Sequence, residues 1–360
     1  MTADTKNDWL QVLRAVAALM VLLFHARILW HDSPLLGATQ SLFRWGFVGV
    51  DIFFVLSGYV VWKSADRLDF QARRFMVRRG FRVYLGYWAA LLLLVAVYAL
   101  SGNLGKLPAE HAVGSILLLH IGLEDNWLAT AWSLPYELYF YIWVALLCAL
   151  LPQKQRGFAL VGLFLMLAAW TVWCAVRLPQ LVAQNAQPLL FLATPMGLQF
   201  LVGALVARYQ KYLPTDPRRI AATAAGVCAV GMVLATAGFS WGTTGSLYDQ
   251  ILVYRAISFG WVGVGFLLAA LAASMLKLRA NVMLVSIGDA SYSLYLLHPV
   301  LLKVVRGLMS HIPADSLWHI PLAPATVVAI VWACMQWYRW IEKPLYERAC
   351  QWAIRPTPHT

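Results

Sequence analysis

The chain has 360 residues, of which 61% are hydrophobic and only 12% charged. A soluble domain is about 45–50% apolar and about 25% charged, so this chain carries about half the charge that a water-facing surface needs. Soluble globular, disordered, collagen-like, coiled-coil and disulfide-scaffold classes are excluded, which leaves an all-α polytopic integral membrane helix bundle. The net charge of +12 would suggest nucleic acid in a soluble protein. Here the cations gather in short connections, which makes them a topology signal and argues against a nucleic-acid partner.

A helix needs about 20 apolar residues to cross the hydrocarbon core. Ten stretches qualify: residues 9–30, 45–62, 81–100, 131–151, 157–176, 189–208, 220–238, 250–276, 285–309 and 321–342. A shorter apolar piece, 111–122, reads as interfacial or re-entrant. With the N-terminus inside, twenty Lys and Arg fall on the cytoplasmic connections and rims, against four (Arg44, Lys106, Arg177, Arg306) on the other side. The positive-inside rule then puts both termini in the cytoplasm. The first span holds Arg14 and His25 and is longer than a signal-peptide core, so it is expected to stay in the mature protein. The five cysteines are scattered, with neither disulfide nor metal-site spacing. No repeat, linker or appended soluble domain is evident, and residues 1–360 read as one transmembrane domain.

Ionisable groups within spans are expensive and are functional candidates. They are Arg14 and His25 in the first span, Asp51 in the second, Glu137 in the fourth, Arg255 in the eighth and His298 in the ninth, with Asp289 near its inner end. Arg14 and His25, eleven residues apart, leave the same helix face about 16 Å apart along the axis. Counting inwards from the outer ends of their spans, His25, Asp51 and Glu137 fall at about the same depth. That placement suits a general base oriented by a second carboxylate. The structural alternative has Asp51 pairing with an arginine and His25 bonding a carbonyl. His298, just ahead of Pro299, reads equally well as a helix-packing residue or a functional one.

The segment from Lys63 to Arg82 is the densest basic region. Arg73, Arg74, Arg78, Arg79 and Arg82 are spaced so that several share one face of a short helix. Charge alone fits a topology and lipid-headgroup role. It also fits a phosphate clamp, because arginine forks match phosphate oxygens in pairs.

Five ordered segments carry a resemblance. They are Arg14 to His25, Gly49-Val-Asp51 running to Ser57-Gly58, Arg78-Arg79-Gly-Phe-Arg82, Trp132-Ser133-Leu-Pro-Tyr-Glu137, and Ser293-Leu-Tyr295-Leu-Leu-His298-Pro, followed by Ile341-Glu342-Lys343-Pro344. Together the chain resembles the acyltransferase-3 family of bacterial integral-membrane O-acyltransferases, of the exopolysaccharide-modifying type. The resemblance implies transfer of an acyl group, usually acetyl, from cytoplasmic acyl-CoA to a hydroxyl of a carbohydrate or lipid-linked saccharide, in the bacterial inner membrane and without a metal. It implies His25 as the catalytic residue, Arg14 and Asp51 as its essential partners, and Arg79 and Arg82, with neighbouring Arg78, on the acetyl-CoA side. Glu137 joins His25 and Asp51 as a candidate catalytic group. The basic motif lacks the proline that usually follows it, and the hydrolase-like domain of some members is not evident. Direct transfer and a covalent acyl relay both fit. The rival reading is a proton-coupled transporter, which buried His, Asp, Glu and Arg would also suit. Against it, the two halves show no pair of similarly interrupted segments.

Overall fold

The computed structural model describes residues 7–29, 43–119, 126–177, 196–240, 252–313 and 316–353. Every regular element among them is helical. The principal helices are α1 (Asp8–Ala26), α2 (Val48–Ala65), α3 (Ala72–Leu100), α4 (Ala112–Leu117), α5 (Leu134–Leu150), α6 (Gln153–Arg177), α7 (Met196–Tyr209), α8 (Pro217–Ser240), α9 (Leu252–Met275), α10 (Val282–Asp289), α11 (Ser291–Met309), α12 (His319–Trp337) and α13 (Lys343–Ala353). Eight helices among the described residues are long and apolar enough to cross a membrane, as the all-α polytopic reading requires. The 19-residue α11 is as long as α1 but carries His298, Lys303 and Arg306. The end of the first expected span at residue 30, residues 189–195 of the sixth and 250–251 of the eighth lie outside the described residues.

Side-chain oxygens set several helix starts. Asn7 Oδ1 accepts from the amides of Trp9 (3.0 Å) and Leu10 (3.4 Å), Asp216 Oδ1 from Arg218 (2.9 Å), and Asn281 Oδ1 from Met283 (2.9 Å) and Leu284 (3.2 Å). Each satisfies amides that a helix N-terminus leaves without partners.

Two expectations need correction. The basic segment is no short helix: Arg73 to Arg82 form the first turns of α3, which runs unbroken for 29 residues. Nothing between Ala72 and the apolar run breaks a helix, since Gly80 costs only about 1 kcal/mol. At 1.5 Å per residue α3 is about 44 Å long, so about two and a half turns overshoot a core of about 30 Å. The expected ninth span, 285–309, is divided. Its first turn belongs to α10, and Ala290 leaves helical geometry (φ −85°, ψ 5°) before α11 begins.

The chain forms two compact units. One comprises residues 1–14, 50–76 and 136–285, the other 15–49, 77–135 and 286–360.

In the first unit, glycines bring backbones into contact. A Cβ on Gly58 of α2 would lie 1.8 Å from the Phe200 carbonyl oxygen of α7, and one on Gly203 of α7 would lie 1.9 Å from the Val55 carbonyl oxygen of α2. The two helices therefore fit through a reciprocal glycine pair, the small-residue packing that membrane helices use where no hydrophobic force drives them together. Gly263 of α9 sits likewise against Val55 and the Asp51 carbonyl, and Gly231 and Gly265 let α8 and α9 pack closely. Phe140 of α5 stacks on Phe200 at 5.0 Å between centroids and covers Gly197.

In the second unit, Gly46 and Gly49 approach the Met20 and Ala17 carbonyls of α1, where a Cβ would fall 2.1 and 2.2 Å from oxygen. The piece around 111–122 includes α4, only six residues long. Three side chains of α3 take its carbonyls: Tyr87 OH donates to Ser115 O (2.5 Å), Trp88 Nε1 to Ile116 O (2.9 Å) and Tyr84 OH to Leu117 O (3.0 Å). Spaced i, i+3 and i+4, they share one face of α3. They satisfy groups that lipid could not. After α12 the chain makes a π-helical turn, Tyr338–Glu342, and continues as α13.

Candidate functional site

Asp51, in the first unit, lies in the first turn of α2 and is fully buried. Arg255 of α9, itself 6% exposed, grips it in a forked pair: Nε donates to Oδ1 and Oδ2 at 3.1 Å each, and Nη2 to Oδ2 at 3.0 Å. Gln199 of α7 adds Nε2 to Oδ1 at 2.7 Å. The close glycine contacts of α7 and α9 with α2 bring both partners within reach. Carboxylate and guanidinium neutralise each other in a fork suited to buried pairs.

Glu137, also in the first unit, accepts from Ser57 Oγ at 2.7 Å and from the Tyr141 hydroxyl one turn on. Arg14 is half buried on α1, whose N-terminal end is tied by Trp9 Nε1 to Leu278 O (2.9 Å) and by Asn7 Nδ2 to Ser274 Oγ (3.2 Å). Asp66 closes the far end of α2 with two arginines, Arg156 at 3.3 Å and Arg208 at 3.5 Å.

His25, in the second unit, occupies the last turn of α1. Its Nδ1 lies 2.9 Å from Val21 O and 3.1 Å from Nε2 of His298. The two rings stand 4.9 Å apart between centroids, inclined at 46°, and Phe24 meets the His25 ring edge-on at 5.0 Å. His298 is fully buried, with Nδ1 2.8 Å from Leu294 O.

The basic motif lies on α3 in the same unit. Arg78 is exposed, Arg79 and Arg82 partly so. Arg82 Nη1 pairs with Glu342 at 2.5 Å, and the other oxygen of Glu342 accepts from Ser293. The Tyr292 ring lies 5.2 Å from the Arg82 guanidinium, and its hydroxyl donates to Val83 O at 2.7 Å.

Within its own unit each expected site residue has these neighbours: His298 and Val21 for His25, Arg255 and Gln199 for Asp51, Ser57 and Tyr141 for Glu137. Sequence reasoning did not assign Gln199, Glu342 or His298 as partners. Their signals were an amide within a span, an acid closing the last one, and a His-Pro step inside a helix.

The sequence profile of the acyltransferase domain family matches residues 7–336. The exopolysaccharide production protein ExoZ of Rhizobium meliloti (strain 1021) is 28% identical over 326 residues, 86% of this chain and 92% of that protein. The peptidoglycan O-acetyltransferase OatA of Listeria monocytogenes serovar 1/2a is 25% identical over 92% of this chain and 54% of its own. The O-acetyl transferase of Shigella phage Sf6 is 29% identical over 57% of this chain and 64% of its own. No solved structure matches the chain.

Proposed function

The chain belongs to the acyltransferase domain family, and on that premise we propose that it moves an acetyl group from cytoplasmic acetyl-CoA to a sugar hydroxyl of an exopolysaccharide or its lipid-linked repeat unit. The observation that carries this reading is the match to the exopolysaccharide production protein over nearly the full length of both chains. The whole of residues 1–360 acts as one transmembrane acyltransferase domain in the bacterial inner membrane, multi-pass, with both termini cytoplasmic.

The His25 imidazole is the catalytic group. It takes the proton of the acceptor hydroxyl while that oxygen attacks the thioester carbonyl; the carbon–sulfur bond breaks, and the proton passes to the CoA thiolate. Should His25 take the acetyl group first, the same nitrogen forms and then releases the acyl bond. Arg14, about 16 Å back along α1, serves the donor path. Arg78, Arg79 and Arg82 meet the phosphates of CoA, with Glu342 fixing the tilt of the Arg82 fork. Asp51 and Glu137 are positioning carboxylates held by the partners described above, and the route uses no metal.

The test is transfer of labelled acetyl from acetyl-CoA to exopolysaccharide repeat oligosaccharide by the purified protein in nanodiscs. The native chain should label the sugar, and His25→Ala should label none while accumulating normally. A native chain that leaves the sugar unlabelled, or a His25→Ala variant that works as well, would overturn the reading.

A further inference from the structure

His298 of α11 is the buried residue whose geometry has the sharpest chemical consequence. A backbone carbonyl only accepts, so the 2.8 Å contact with Leu294 O requires a proton on Nδ1 of His298. A neutral imidazole then presents a bare Nε2 as acceptor. The nitrogen facing it, 3.1 Å away, is Nδ1 of His25, which also lies 2.9 Å from the Val21 carbonyl. Both neighbours can only accept, so Nδ1 of His25 carries the proton and shares it between them. The other nitrogen of His25, Nε2, is left as the basic one.

We propose that His298 fixes the tilt of His25 for acyl transfer and, with the Val21 carbonyl, keeps its proton on Nδ1. His298 is thus a positioning residue, and Nε2 of His25 is the nitrogen that meets the substrate. The inference rests on His25 being the transfer base. A chain of three hydrogen-bonded links results: the Leu294 carbonyl accepts from His298, whose Nε2 accepts from His25, whose Nε2 accepts the proton of the sugar hydroxyl. When that proton arrives, the new imidazolium keeps a bond from Nδ1 to His298, now strengthened by charge.

A carboxylate does this work in the serine-protease triad. A neutral imidazole does it without a permanent charge in a membrane span, where an ionised group is costly.

The surroundings hold His298 still. Within the two turns before it on α11, Tyr292 bonds Val83 O, Ser293 bonds Glu342, and Tyr295 OH lies 2.9 Å from Ser133 Oγ. Three segments of the second unit therefore pin the helix just before the ring. Pro299 follows directly and has no amide, so it makes no helical hydrogen bond to the Tyr295 carbonyl. These anchors leave the imidazole little freedom beside His25.

Nitrogen-15 NMR of the histidine-labelled full-length protein in nanodiscs reads the tautomer. Acetyl transfer from acetyl-CoA to repeat oligosaccharide reads the function. Native His25 should show the Nδ1–H form. His298→Ala should keep that form, because the Val21 carbonyl still takes the Nδ1 proton, but it loses the second bond that holds the tilt of the ring. The same variant should lower kcat about 10- to 100-fold, the range for losing a group that orients a functional histidine, with KM for donor and acceptor unchanged. His298→Gln puts an amide oxygen near the place of Nε2, so it should keep the Nδ1–H form and a kcat within about threefold of native. That rescue guards against an alanine variant that merely misfolds. Native His25 with its proton on Nε2, or His298→Ala with native kcat beside a dead His25→Ala, overturns the positioning role alone. Activity that survives in His25→Ala overturns the reading of His25 and this inference together.

Discussion

Replacing Asp51 by Asn strands the Arg255 guanidinium without its anion, because the pair is sealed at 0% and 6% exposure. Breaking such a pair from one side costs about 3–5 kcal/mol. Arg255→Met does the converse, leaving the carboxylate with Gln199 alone, and should cost a similar amount. Were the two losses independent, the double variant would lose about 6–10 kcal/mol by addition of those figures. It should instead lose far less. Asn keeps an oxygen for Gln199 Nε2, now 2.7 Å from Oδ1, and the remaining defect is one buried amide nitrogen, worth about 1–3 kcal/mol. Thermal unfolding in detergent should therefore rank the double variant above both singles, with a coupling of at least about 3 kcal/mol. Additive losses would refute the forked pair as the element that holds α2 and α9 together. The stable double variant also separates folding from chemistry: acetyl transfer should fall at least about tenfold if the Asp51 charge is needed for positioning.

Gly203→Ala drives a methyl group onto the Val55 carbonyl and should destabilise the protein by about 1–3 kcal/mol. Gly162→Ala on α6 meets nothing within 4 Å, and should stabilise by about 0.5–1 kcal/mol; the opposite order in a melting comparison would refute the backbone-contact account. Changing Arg79 and Arg82 together to Lys keeps the positive-inside signal but loses the forked geometry. Orientation assayed by labelling should be unchanged, and KM should rise for acetyl-CoA but not for the acceptor; native donor kinetics would move the CoA phosphates away from α3.

Much of the fold was legible because hydropathy runs and charge asymmetry are local signals. They located the spans, and they marked 111–122 as a piece apart. The overshoot of α3 was missed because charge suggested a short helix of its own, whereas nothing in the sequence interrupts the run from Ala72 into the apolar stretch. The break at Ala290 was missed because Ala and Ser carry no breaker signal. The candidate residues His25, Asp51, Glu137 and Arg82 were visible as costly polar groups. Their partners were less so, since Arg255, His298 and Glu342 lie 204, 273 and 260 residues away in sequence. Tyr141 was the readable exception, one turn beyond Glu137. Spacing along a helix gives a residue's own face, and only tertiary packing chooses what stands opposite.

The π-helical turn at Tyr338–Glu342 amounts to one residue inserted into an otherwise α-helical run. It rotates everything after it by about 100° relative to an unbroken helix. The angular phase of α13 is therefore written by that single extra residue. Deleting one residue between 338 and 342 would leave a continuous helix but return α13 to the phase of α12, turning Lys343, Glu347 and Arg348 by more than a quarter of a circle. Reading frame and hydropathy would barely register such a deletion, yet the Glu342 that faces Arg82 would lose its place. In this segment, chain length encodes direction.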